Sequence, residues 1–211
     1  MLQQWLSPTP VAEFVRTHLH RQPWAQPSAA ISAVPRFGWE TLDRVLRVEP
    51  EPDLIVIAGG KPVDTASPRS LAEVKVLMEK GIGLVIRRAE RLDPGLAELA
   101  TAFEADLPGE VHLQLFVTPA ETHGFSWHYD FEDVFIAQTE GAKEYFFREN
   151  TVDLKTPHDA QPDFARVSSE VTPIATARLE PGDWLYVPRR WWHVAHCVRD
   201  SLSISVGVAV R

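Results

Sequence analysis

Sulfur is nearly missing from this sequence: its 211 residues include one cysteine and two methionines. A single cysteine, Cys197, excludes an internal disulfide framework and any zinc site built from several thiolates. A cytoplasmic location is therefore expected. Long apolar runs are also missing, since none approaches the roughly 20 residues that cross a bilayer. The opening Met1-Leu2-Gln3-Gln4-Trp5-Leu6-Ser7-Pro8 has neither the basic nor the apolar region of a secretion signal, so no membrane partner is expected. Positive charge is in deficit, with 21 Lys+Arg against 29 Asp+Glu and a formal net charge of -8. Nucleic acid is unlikely as the main partner, because phosphate binding rests on clustered cations.

What is present is enough apolar residue, 45% of the chain, for one domain with a real core. Seventeen prolines predict many turns and few long helices. The first half reads as a helical and mixed α/β lead-in over residues 1–109. Residues 11–19 and 39–48 carry apolar positions at helical spacing, and Leu54-Ile55-Val56-Ile57-Ala58 is a short buried strand. Ser70 to Glu73 is a capping box for a helix stopped by Gly81, and Asp93-Pro94 caps another that carries Leu96, Leu99, Ala100 and Phe103 on one stripe. From residue 110 to 211 the period becomes two. Extended runs at 111–117, 125–130, 133–138, 143–148, 171–179, 184–187, 193–198 and 202–210 predict a mainly β, closed antiparallel barrel or jelly roll, with 149–170 as an exposed excursion. The lead-in and the β core are expected to form one structural domain.

The chemistry gathers around His128 in Phe125-Ser126-Trp127-His128-Tyr129-Asp130. On a strand, positions 128 and 130 share a face and converge. An isolated H-x-D is common and usually binds nothing. Here His193 offers a third ligand after Pro181-Gly182-Asp183-Trp184-Leu185-Tyr186-Val187-Pro188. Two imidazoles and one carboxylate on one side of a metal leave positions open, the arrangement of non-haem Fe(II) oxygen chemistry. Lys143 follows a hairpin tip expected at Glu140-Gly141. A strand-opening lysine is usually a solvated edge charge, but Lys143 shares its face with Tyr145 and Phe147. Buried there, it requires an anion, and the far carboxylate of a dicarboxylic co-substrate fits.

His128-Tyr129-Asp130, Asp133 to Gln138, Glu140-Gly141-x-Lys143 and Gly182-Asp183-x-Leu185-Tyr186-x-Pro188-x-x-x-x-His193 together resemble the JmjC-domain, cupin-like Fe(II)- and 2-oxoglutarate-dependent oxygenases. The likeness is greatest to the ribosomal-oxygenase and protein-hydroxylase branch. The resemblance implies a double-stranded β-helix with Fe(II) on His128, Asp130 and His193, and 2-oxoglutarate held by Lys143 with help from Ser126 and Tyr145. It implies hydroxylation of an unactivated C–H bond of a protein side chain or small molecule, with release of succinate and CO2. His196 faces away from His193 and is assigned a supporting role. His112 and His123 flank the barrel entry as surface groups or reserve ligands, and Arg189-Arg190 beside His193 is the one basic spot near the expected mouth, with a solvated turn as the plainer reading.

Two departures stand out. Arg190 replaces the glycine of a P-x-G-x-x-H pattern, and Val134 replaces a frequent asparagine that touches 2-oxoglutarate. The C-terminal modules of the ribosomal oxygenases are expected to be absent, so substrate identity is not carried over, and demethylation as against hydroxylation and oligomeric state are left open by the sequence. Two alternatives remain at this point: a cupin-type metal protein with another reaction, and a non-catalytic barrel that uses its pocket for recognition.

Overall fold

The structure, a computed structural model, describes residues 2–209. The first elements are short helices, α1 (Leu2–Leu6) and α2 (Val11–Thr17), then strand β1 (Trp24–Gln26) and helix α3 (Trp39–Leu46). Strands β2 (Leu54–Ala58) and β3 (Lys61–Val63) precede helix α4 (Leu71–Met78), strand β4 (Ile82–Ile86) and helix α5 (Pro94–Asp106). The remaining elements are strands: β5 (Glu110–Thr118), β6 (Asp133–Arg148), β7 (Ala175–Leu179), β8 (Trp184–Val187) and β9 (Trp192–Ala209).

The helix caps follow from the sequence. Ser70 Oγ accepts from the Glu73 N–H, while the Glu73 carboxylate accepts from Arg69 N–H at 2.6 Å, one residue earlier than a reciprocal capping box requires. Asp93 accepts from Gly95 and Leu96 N–H groups at the start of α5, with Pro94 at the first helical position.

The nine-stranded sheet runs β1-β8-β6-β9-β5-β4-β2-β3, with β7 on the far half of β6, and its pairs are antiparallel. Two expectations are corrected here. Residues 133–138 and 143–148 are one strand, and so are 193–198 and 202–209; Val210, the last residue of that expected run, lies outside the described residues. Glu140-Gly141 is therefore a corner and not a hairpin tip. The register of β6 on β9 shifts at Gln138, Glu140 and Ala142, and such bulges bend a strand pair. Both strands pass there from a sheet shared with β8 and β5 into one shared with β7. Gly141 makes the approach possible: its φ is +69°, and a Cβ would meet the Asp200 carbonyl oxygen at 2.0 Å. The result is a jelly roll.

Residues 125–130 also differ from expectation, because they make a single β-bridge, His128 to His193, and no extended strand. The excursion 149–170 contains a short 3-10 turn, Phe164–Ser169.

One face of the strands is the main core. Trp5, Phe14, Leu42, Leu99 and Phe103 from the helices pack on Leu113, Leu115, Ile204, Val206, Phe135 and Tyr186. The other face looks into the barrel, where Val134, Ile136, Tyr145, Phe147, Leu185 and Val187 form a smaller apolar lining.

Candidate metal centre

His128 and His193 are brought together by their backbones before their side chains. Each donates its N–H to the other's carbonyl, at 3.1 and 2.7 Å, so the two residues stand directly opposite. Their rings are 4.3 Å apart. Asp130 lies two residues on, with Oδ2 3.5 Å from His193 Nε2. One ligand atom from each of the three falls within 4.8 Å of the others, the one such group among the described residues.

The ring orientation suits metal binding. His128 Nδ1 lies 2.7 Å from the Ser126 carbonyl, and His193 Nδ1 lies 3.0 Å from that of Trp191. An Nδ1–H donated to a carbonyl leaves Nε2 as the free base, the usual state of a metal-bound imidazole. Burial, and then the neighbouring His128, pull His193 below the ordinary imidazole range, which keeps it neutral as a ligand must be. Two neutral imidazoles and a carboxylate form a donor set that fits Fe(II).

The site is braced from both sides. Tyr129, between His128 and Asp130, is buried and donates its hydroxyl to Asp153 Oδ2 at 3.0 Å. Arg190 donates its N–H to the Asp130 carbonyl at 2.7 Å and its guanidinium to the carbonyls of Leu154 and Thr156. It is thus a fastener for the excursion and not a solvated turn. Its φ of +65° also shows why glycine suits this position.

Lys143 lies inside the barrel, 3% exposed. Its Nζ donates to Ser203 Oγ at 3.1 Å and sits 5.7 Å from the centre of the Phe116 ring. No ion pair among the described residues involves it. Burial lowers its pKa to about 8, against a smaller upward pull from Cys197. Tyr145 shares the Lys143 face; burial raises its phenol, against a hydrogen bond with Ser203 that lowers it.

Ser126 is not brought to this group. Its side chain is exposed and turns to the β2–β3 turn, where a Cβ on Gly60 would meet Ser126 Oγ at 2.6 Å. Ser203 occupies the place by Lys143 that Ser126 was expected to take. The alternation of Ser201, Ser203 and Ser205 with Leu202, Ile204 and Val206 was the available signal. Glu132 was also missed. It lies over Gly207, where a Cβ would clash with Oε2 at 2.0 Å, and burial, then Asp130, raise it to about 7. His112 lies opposite Gly207 on β9, its Nδ1 2.8 Å from Arg88, and His123 is bridged to His196. Val134 faces the lumen with Ile136.

Comparison with known proteins agrees with this geometry. A family model described as "JmjC domain" matches residues 93–211, more than half of the chain. The "Bifunctional lysine-specific demethylase and histidyl-hydroxylase NO66" of Drosophila persimilis is 26% identical over 213 residues, covering 97% of this chain and 31% of that protein. "Ribosomal oxygenase 1" of Gallus gallus is 34% identical over 100 residues, 44% of this chain and 16% of that one. Among solved structures, E. coli ycfD superposes with a TM-score of 0.72 at 22% identity, over 96% of this chain and 53% of that one. A YcfD structure described as a ribosomal oxygenase in complex with cobalt and 2-oxoglutarate gives 0.66 at 20% identity, over 97% and 52%. The chain spans about a third of the NO66 relative and about half of these structures.

Proposed function

The chain belongs to the JmjC domain family, and from that premise we propose that it is an Fe(II)- and 2-oxoglutarate-dependent oxygenase that hydroxylates a protein side chain. The observation that carries the proposal is a buried, unpaired lysine in the same lumen as a His/Asp/His cluster. An ammonium removed from water needs an anion, and none of the ion pairs among the described residues supplies one.

In this reading His128, Asp130 and His193 hold the iron, and Lys143 receives the distal carboxylate of 2-oxoglutarate. Iron with 2-oxoglutarate supplies the oxygen-activating redox chemistry that these side chains lack. The chain supplies the setting. The carbonyls of Ser126 and Trp191 fix which imidazole nitrogen points inward. Asp130 brings the negative charge that offsets a divalent cation. Ser203 shares the Lys143 ammonium and can donate its own hydroxyl to the carboxylate. Tyr145, Phe147, Leu185 and Val187 keep bulk water from the anchor, which strengthens a charge pair.

A protein substrate is favoured by the histidyl-hydroxylase and ribosomal-oxygenase activities in the relatives' names. The single, buried cysteine fits a cytoplasmic location. A cupin with a different reaction would have no use for the buried Lys143. A pure binding module would not turn over.

The test is succinate formation from 2-oxoglutarate in the presence of Fe(II) and ascorbate. Expected is succinate release that His128→Ala abolishes. Tight metal binding with no 2-oxoglutarate affinity would reject the proposal.

A further inference from the structure

We propose that His123 and His196, with Glu121 as a third arm, form a second, outward-facing site for a divalent transition metal of the zinc type. The two segments that set His128 opposite His193 also set His123 opposite His196. The inner rings are 4.3 Å apart at 54° and the outer rings 5.0 Å apart at 55°. His193 and His196 are three residues apart on β9, so they point to opposite faces; one pair looks into the barrel and the other out.

The outer pair occupies a non-hydrogen-bonded position of its bridge. Cys197 N–H donates to the Thr122 carbonyl at 2.8 Å, so the hydrogen bonds flank residues 123 and 196. The side chains of such a pair stand side by side on one face of the strands. His123 Nδ1 lies 3.2 Å from the Ala195 carbonyl, which frees Nε2 as it does in His128 and His193.

His196 Nε2 is 3.9 Å from Glu121 Oε2; the three outer groups stand farther apart than the inner cluster, and the Glu121 side chain, 80% exposed, closes the site by swinging in. Glu144, opposite His196 on β6, is engaged by Arg178 at 3.7 Å. Two imidazoles, a carboxylate and a water complete a tetrahedron suited to zinc; imidazole also suits copper and nickel. An ion there would staple the segment leading to His128 onto β9 from outside.

The test is zinc counting by elemental analysis after the full chain is stripped with chelator and dialysed against Zn2+. The unaltered chain is expected to hold about two ions, His123→Ala about one, His128→Ala about one, and the double variant none. Zn2+ should also raise the unfolding midpoint of His128→Ala but not of the double variant, which guards against a loss caused by misfolding. Two ions retained in His123→Ala overturn the outer site. Two ions in His128→Ala with one in His123→Ala would overturn the inner assignment and leave the outer one standing.

Discussion

Alternate residues of β9 are equally buried and chemically opposite. Leu202, Ile204, Val206 and Val208 face the helices and belong to the main core, while Ser201, Ser203 and Ser205 face the lumen. Strand β5 repeats the division, with Val111, Leu113, Leu115 and Val117 in the core and His112, Gln114 and Phe116 on the other side. Burial alone therefore does not separate scaffold from site. What lies opposite does: the outer face meets apolar helices, and the inner face carries the buried Lys143 ammonium on its Ser203 partner.

Removing a metal ligand should give the largest effect. His193→Ala is expected to abolish iron retention and succinate formation, as read by elemental analysis and a turnover assay, with the unfolding midpoint little changed. Stoichiometric iron in this variant would mean that the inner face is not a metal site. On the outer face the order reverses. Ile204→Ala should lower stability by about 2–5 kcal/mol in denaturant unfolding and leave 2-oxoglutarate affinity of the folded protein unchanged. A large affinity loss with intact stability would dissolve the distinction between the faces.

Lys143→Ala comes next. Hydrogen bonds to charged groups contribute about 1.5–3 kcal/mol, so 2-oxoglutarate should bind roughly ten- to a hundredfold more weakly in calorimetry, with iron retained. The same lysine predicts a pH dependence. Its pKa is about 8 when folded, against 10.5 for the free side chain. Between these values the unfolded chain holds more protons, so stability rises with pH across that window, and the burial cost is fully present below about 8. Co-substrate affinity should move the other way, falling as pH rises through about 8 and staying flat in Lys143→Ala.

The sequence exposed these features unevenly, for physical reasons. Period-two alternation and helix caps are local, and they disclosed α4, α5, the β-rich second half and the inward face of Lys143. The facial relation of His128 and Asp130 was legible from spacing, although a single β-bridge and not a strand produces it. Contacts made over long sequence distances were not legible. Nothing near Gly141 indicates that Asp200 will press against it, so a sheet-changing corner read as a hairpin. Arg190 read as a solvated turn because its partners, Leu154 and Thr156, lie about 35 residues away.

The smallest predicted effect separates two hydroxyls, one inside the barrel and one outside. Ser126 precedes His128 by two residues and so looks adjacent to the ligands, yet its hydroxyl faces the β2–β3 turn and only its carbonyl serves the site. Ser203 is distant in sequence and within 3.1 Å of Lys143 Nζ. Losing this hydroxyl leaves the lysine charge in place and costs about 1 kcal/mol, so Ser203→Ala should weaken 2-oxoglutarate roughly fivefold, while Ser126→Ala keeps its carbonyl and should match the unaltered chain. Calorimetry on both variants ranks them. If Ser126→Ala were the weaker binder, the anchor would lie nearer the rim than Lys143 and Ser203 indicate, and the lumen face of β9 would lose its claim on the co-substrate.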